Sequence, residues 1–174
     1  MRRLLETPSQ KNLWLGTLLA FIGLAAIFLY LRSLDAQLAP YGIVLFEFAF
    51  TPARASEMIT AWGVVGAHAA RQSLLVDFGF MPAYALAFAG FTLLAARAAR
   101  GRWQTLGLWL TLAPFVSWFF DATENFVLLA TLSNPASSLI VLAGISAAIK
   151  FALLVACLPY MLGGLVATVW RKAR

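Results

Sequence analysis

The sequence predicts an all-α integral membrane protein, a single domain built as a bundle of four transmembrane helices. Hydrophobic residues make up 62% of the 174-residue chain and charged residues only 11%, whereas a soluble domain is about half apolar and a quarter charged. The apolar residues cluster in segments that reach the roughly 17–25 residues a helix needs to cross a bilayer. Basic residues flank these segments in an alternating pattern, which indicates an orientation.

The spans follow the apolar segments, and we place them at residues 14–31, 74–96, 103–132 and 138–170. The last two are longer than a bilayer requires, so we expect them to tilt or to project past the membrane. The first is too long for the apolar core of a signal peptide, and no clear A-x-A cleavage site follows it, so we interpret it as a retained helix. No repeat or linker divides residues 1–174.

The orientation follows from the positive charges. They concentrate in the tail of residues 1–13, in the loop of residues 97–102 and in the tail of residues 171–174, whereas charges balance in the loop 32–73 and are absent from the loop 133–137. The positive-inside rule therefore places both termini in the cytoplasm. This arrangement explains the net charge of +6 without a nucleic-acid partner.

The loop between the first two spans is predicted to be structured and extracytoplasmic. Residues 41–50 read YGIVLFEFAF, and this run is too short for periodicity to distinguish a strand from a re-entrant or an interfacial segment. Thr51 and Pro52 are typical of an N-cap followed by a first-turn proline, and Gly63 is typical of a helix end. We therefore expect a short amphipathic helix over residues 52–62, lying on the outer membrane surface.

Polar side chains interrupt the third and fourth spans. At about 100° per residue, Trp118, Asp121, Glu124 and Asn125 fall on one helical face roughly 120° wide. Lys150 lies at a similar depth in the fourth span, and the side chains lean toward each other's level. Because charges inside hydrocarbon are costly, they usually face the bundle interior and carry function. We expect Lys150 to pair with an acid of the third span.

Further polar residues extend this group toward the outer surface. Asp77 and Tyr84 are seven residues apart in the second span and share a face, and His68 and Arg71 precede them at the membrane surface. We expect an outward-facing funnel, with a mouth of His68, Arg71 and Asp77, a wall of Tyr84, Trp118 and Asn125, and a floor of Asp121, Glu124 and Lys150.

The charges of the funnel indicate candidate roles. Asp77, Asp121 and Glu124 exceed the positive charge of Lys150, so either one acid retains a proton or a cation binds there. Asp121 and Glu124 are therefore candidate acid/base groups, and the other funnel residues are candidate binding groups. The chain has one histidine and one cysteine, too few for a nitrogen- or sulfur-rich zinc site, and no cofactor motif, so we expect neither metal nor cofactor.

Three functions fit this pattern. The first is a site that binds an amphiphilic or lipid-like small molecule, with its chemical modification left open. The second is a small proton- or cation-coupled transporter, for which a homo-oligomer is more plausible than a monomer because no repeat is visible. The third is an accessory or assembly subunit of a membrane complex. The bilayer is a partner in all three.

Three stretches carry a resemblance, namely FEFAFTPARASEMITAWG, SLLVDFGFMPAYALAF and DATENFVLLATL at residues 46–63, 73–88 and 121–132. They resemble small, uncharacterised bacterial membrane proteins with four spans. The resemblance implies the cytoplasmic (inner) membrane of a bacterium and no particular activity. The single Cys157 departs from the four-helix quinone-dependent disulfide-forming enzymes, which need redox pairs.

The orientation can be tested by cysteine labelling on a Cys157→Ala background. We expect an impermeant maleimide to label Ser56→Cys in intact cells and Ser9→Cys only after lysis, because the basic segments stay inside. Labelling of Ser56→Cys only after lysis would reverse the orientation.

Overall fold

Helices account for all regular secondary structure in the part of the chain that the structure describes. This computed structural model describes residues 2–172, and the side chains of residues 3–164. A short 3₁₀ helix precedes six α-helices in the order Arg2–Leu5, α1 Gln10–Asp35, α2 Ile43–Glu47, α3 Pro52–Ala98, α4 Arg102–Leu110, α5 Ala113–Ser133 and α6 Ile140–Lys172. The predicted all-α class is confirmed for these residues.

Four helical segments are long and apolar enough to cross a membrane. They are Gln10–Asp35, Pro52–Ala98, Arg102–Ser133 and Ile140–Gly164. Each contains most of one predicted span, and the helical segments extend beyond the predicted bounds at both ends of the first three spans. The side chains of residues 165–174, which form the end of the fourth predicted span and the basic tail, lie outside the described part of the structure.

The segment around α2 and the start of α3 differs from its sequence prediction. Residues 43–47 form a helix, so the strand interpretation of residues 41–50 is wrong. The Thr51 side chain accepts a hydrogen bond from the Arg54 N–H at 3.2 Å, as an N-cap does. Gly63, at φ +62° and ψ −163°, has non-helical backbone angles, so α3 consists of two helical segments, residues 52–62 and 64–98, joined at a kink.

The predicted third span is two helices. α4 ends at Leu110, and α5 begins at Ala113, directly before Pro114. A proline has no N–H to donate, and its ring clashes with the carbonyl of residue i−4, which here is Leu110. The break therefore has a local cause, and it is slight, because Thr111 and Leu112 keep near-helical backbone angles. α5 carries Asp121, Glu124 and Asn125.

The long helix α3 is the centre of the bundle. It packs against α1 on one side and against α5 and α6 on the other, and α5 packs against α6. The first helix makes its extensive contacts with α3 alone. This asymmetry leaves space between α1 and α6.

A hydrogen-bonded frame fixes α2 against α3. Trp62 Nε1 donates to Leu38 O at 2.8 Å and to Tyr41 O at 2.9 Å, and its ring packs edge-on against Phe46. At the surface, the Tyr41 hydroxyl donates to Glu57 at 2.6 Å. This bond to a carboxylate raises the pKa of Tyr41 above its usual range. The frame directs the end of α2 into the bundle.

The close contact between α1 and α3 predicts how a methyl group added at Gly90 changes the stability of the protein. A Cβ added at Gly90 would overlap Thr17 Oγ1 of α1 and lie 2.9 Å from its Cβ, whereas a Cβ at Gly79 would meet nothing within 4 Å. We expect Gly90→Ala to lower the melting temperature in detergent, because overpacking costs about 1–3 kcal/mol. Gly79→Ala, the matched control, should raise it slightly through the helix propensity of alanine. An equal response of both variants would contradict this packing.

Candidate functional site

A buried ammonium group forms the centre of the site. Lys150 of α6 is 6% exposed, and its Nζ donates to Asp121 Oδ1 at 2.8 Å and to Glu124 Oε1 at 3.0 Å. Both acids lie on α5, one helical turn apart, and are almost fully buried. The Ser117 hydroxyl, also on α5, donates to the Lys150 carbonyl at 3.2 Å. These bonds fix α6 against α5 at the level of the charges.

A third acid, Glu47 of α2, completes this group, which we call the lysine cluster: Lys150, Asp121, Glu124 and Glu47. Glu47 Oε2 lies 3.4 Å from Lys150 Nζ, and the residue is only 7% exposed. Sequence reasoning did not assign Glu47 to the site, because the direction of so short a helix depends on the Trp62 frame. One signal was present, since Glu47 is the single charge of an otherwise apolar and aromatic run.

Two carboxyl groups of the lysine cluster each keep an oxygen without a hydrogen bond. Neither Glu47 Oε2 nor Glu124 Oε2 accepts a hydrogen bond from the described part of the chain, although these oxygens lie 3.4 and 3.0 Å from Lys150 Nζ. Buried carboxylates that share one cation repel each other unless one of them is protonated. The arrangement is therefore suited to holding one proton.

A second polar group lies beside the cluster. Asn125 Nδ2 of α5 donates to Asp77 Oδ2 at 2.8 Å and to Leu74 O at 3.1 Å, both on α3. Tyr84, two turns further along α3, is 3% exposed, and its hydroxyl has no hydrogen-bond partner among the described residues. Since a buried hydroxyl is costly when unpaired, Tyr84 indicates a place for a polar partner.

These side chains lie at the bottom of a cavity of about 550 Å³. Its polar lining consists of Ser73, Asp77, Tyr84, Asp121, Asn125, Glu47 and Lys150, with Arg32 and Asp35 at the end of α1. Its apolar lining includes both sides of the gap between α1 and α6, with Phe21, Leu24, Ala25, Phe28 and Leu31 on α1 and Phe151 and Leu154 on α6. The remaining apolar lining residues are Ile43 and Val44 on α2 and Leu74, Phe80 and Phe88 on α3. Glu124 lies behind this surface and is fully buried.

Burial changes along the cavity. The cluster residues at its floor are less than 10% exposed, whereas Phe21 and Phe28 at its rim are 47% and 50% exposed. Asp35 at the rim already has a hydrogen-bond partner within the protein, because its Oδ1 accepts the Ile43 N–H at 2.7 Å. The cavity is thus charged at depth and apolar toward the surface between α1 and α6.

Four residues of the predicted funnel do not line this cavity: Glu124 lies buried behind its floor, and His68, Arg71 and Trp118 are exposed. His68 and Arg71 are about 180° and 120° from Asp77 around α3, so they face away from it. The buried face of α5 is centred near Ser117, and Trp118 lies about 100° from that residue. Asp77, Tyr84, Asp121, Asn125 and Lys150 do line the cavity.

The described residues include no group of three or more histidine, cysteine, aspartate or glutamate side chains placed to hold a metal ion. Comparison of the chain with protein families, with curated proteins and with solved structures finds no match. Interpretation of the site therefore depends on its own geometry.

The lysine cluster predicts that a second substitution partly restores the stability lost through the first. Lys150→Met should destabilise the protein by about 3–5 kcal/mol, because it leaves buried carboxylates without their cation. Adding Asp121→Asn should recover part of the loss, since it removes one of those charges. Thermal unfolding in detergent measures both effects.

The surface pair of Arg54 and Glu57, 2.7 Å apart and well exposed, provides the control. Arg54→Met should change the melting temperature little, because exposed pairs contribute little. Full stability of Lys150→Met, without coupling to Asp121, would contradict the cluster.

Proposed function

We propose that this is a multi-pass membrane protein whose cavity binds an amphiphilic, lipid-like small molecule. The observation that carries the proposal is the cavity between α1 and α6, which joins the charged floor to exposed aromatic walls. Its volume of about 550 Å³ falls in the range of small-molecule sites, about 300–1,000 Å³. A soluble ligand would not need such a wide apolar rim.

The surface of the bundle supports a membrane location. Large side chains of α1 such as Trp14, Leu19 and Leu29 are about half or more exposed, and this helix is long and apolar enough to cross a membrane. Water would disfavour so continuous an apolar surface, whereas lipid tails accommodate it. With the basic tails and loop inside, both termini lie in the cytoplasm, and the α1–α3 connection lies outside.

A bound amphiphile would place its polar head at the floor and its tail in the gap. The tail then leaves between α1 and α6, directly into the surrounding lipid. Of the two candidate acid/base residues, Asp121 lines the cavity and Glu124 lies behind it. Of these two, Asp121 is therefore the one that can exchange a proton with the ligand, with Glu124 and Lys150 setting its charge environment.

Filling the cavity tests this function. Ala25→Trp places an indole among the lining residues of α1, whereas Ala26→Trp places the same group on an exposed position outside the cavity. We expect a small molecule that copurifies with the wild-type protein, measured by mass spectrometry of solvent extracts, to be lost from Ala25→Trp and retained by Ala26→Trp. Equal retention by both variants would place the ligand elsewhere.

The three acids around Lys150 favour a second candidate, a proton-coupled carrier. A proton held by one of them can leave toward the cavity, which Glu47 and Asp121 both line. In proteoliposomes with an imposed pH gradient, a carrier would give proton flux that Asp121→Asn abolishes and Glu6→Gln, an exposed control, leaves intact. Absence of flux for the wild-type protein would eliminate this candidate.

A further inference from the structure

The charge and hydrogen-bonding capacity of the cavity select one kind of head group. The acids that line it are Asp35, Glu47, Asp77 and Asp121, and the bases are Arg32 and Lys150. Glu124 adds a further acid directly behind the floor. The lining thus has an excess of acids, and a cationic occupant would reduce it.

The one buried cation of the lining is already enclosed by carboxylates. Lys150 Nζ donates hydrogen bonds to Asp121 and Glu124 at 2.8 and 3.0 Å, and Glu47 lies 3.4 Å away as a third anionic neighbour. An anionic head group brought to the floor would compete with these carboxylates and meet their repulsion. Arg32 offers positive charge only at the exposed rim, beside Asp35.

Acceptors, in contrast, remain available at the floor. Asp77 accepts from Asn125 through Oδ2, and no described residue donates to its Oδ1. The Tyr84 hydroxyl is buried, lines the same cavity and has no partner among the described residues. This buried hydroxyl without a hydrogen bond indicates that the cavity has room for a further polar group beside it.

We propose that the cavity recognises an amphiphile with a primary ammonium head and a single apolar tail. The ammonium donates to Asp77 and Tyr84 at the floor, and the tail lies against Phe21, Phe28 and Phe151 in the gap between α1 and α6. This inference rests on the proposed function and adds the sign and donor character of the head group. A long-chain amine and an amine-bearing lysophospholipid share this chemistry.

The test compares probes that differ only in their head group. Wild-type protein in phosphatidylcholine nanodiscs is titrated with dodecylamine, dodecanol, dodecanoate and a lysophosphatidylethanolamine of equal chain length, with empty nanodiscs as the partition control. We expect dodecylamine to bind about tenfold more tightly than dodecanol, since one charge-assisted hydrogen bond has about that effect. Dodecanoate should bind more weakly than dodecanol.

Variants assign the preference to named residues. Asp77→Asn keeps an oxygen for Asn125 and removes the charge, so it should reduce the preference for dodecylamine severalfold and leave dodecanol binding unchanged. Tyr84→Phe should weaken dodecylamine binding alone. Glu6→Gln, with the same loss of charge at an exposed site outside the cavity, should behave as the wild-type protein.

The outcomes separate the two proposals. Binding of all four probes without preference, or tighter binding of dodecanoate, would overturn the ammonium inference and leave the amphiphile site intact. Retention of the full preference by Asp77→Asn would also overturn it. Binding of no probe above empty nanodiscs would count against the proposed function itself. Tight binding of the lysophospholipid but weak binding of dodecylamine would identify the ammonium source as a membrane phospholipid.

Discussion

The buried ammonium of Lys150 constrains most of this fold. A charge removed from water is tolerated only where partners compensate it with good geometry. Here the partners come from two other helices, Asp121 and Glu124 from α5 and Glu47 from α2. The cluster therefore fixes the rotation of α5, the depth of α6 and the inward direction of the short helix α2. The Trp62 frame supports α2 from the opposite side, so a five-residue helix can hold a carboxylate in place.

The cavity exists because the first helix takes no part in this cluster. α1 packs along α3, where Gly90 allows the close approach of Thr17. It stays apart from the part of α6 that carries Lys150. A helix seated over Lys150 would have sealed the charges in a dry core. Instead the polar floor faces a gap lined with phenylalanines, which is the geometry an amphiphile requires. The same gap offers a path along which a proton could leave the cluster.

Several parts of this structure follow from the sequence alone. The helical class and the spans are evident from apolar runs, and the match of depth between Lys150 and Asp121 is evident from counting 1.5 Å per residue. Glu47 could not be placed in this way, because its helix is oriented by Trp62, a contact between distant parts of the chain. His68 and Arg71 were grouped with Asp77 by their level along α3, and the 100° rotation per residue separates them. Trp118 was included because the predicted polar face of the third span was drawn 120° wide. In the structure the buried face of α5 is centred near Ser117, and Trp118 is exposed at its edge.

The order of the charges along the chain has a consequence for biosynthesis. Glu47, Asp77, Asp121 and Glu124 all precede Lys150, which lies on α6. A ribosome therefore delivers every acid of the site before the buried cation that Glu47, Asp121 and Glu124 surround. Until α6 arrives, these carboxylates have no buried cation to pair with. The compact arrangement of the site thus depends on α6, and a chain interrupted before Lys150 retains an uncompensated acidic interior.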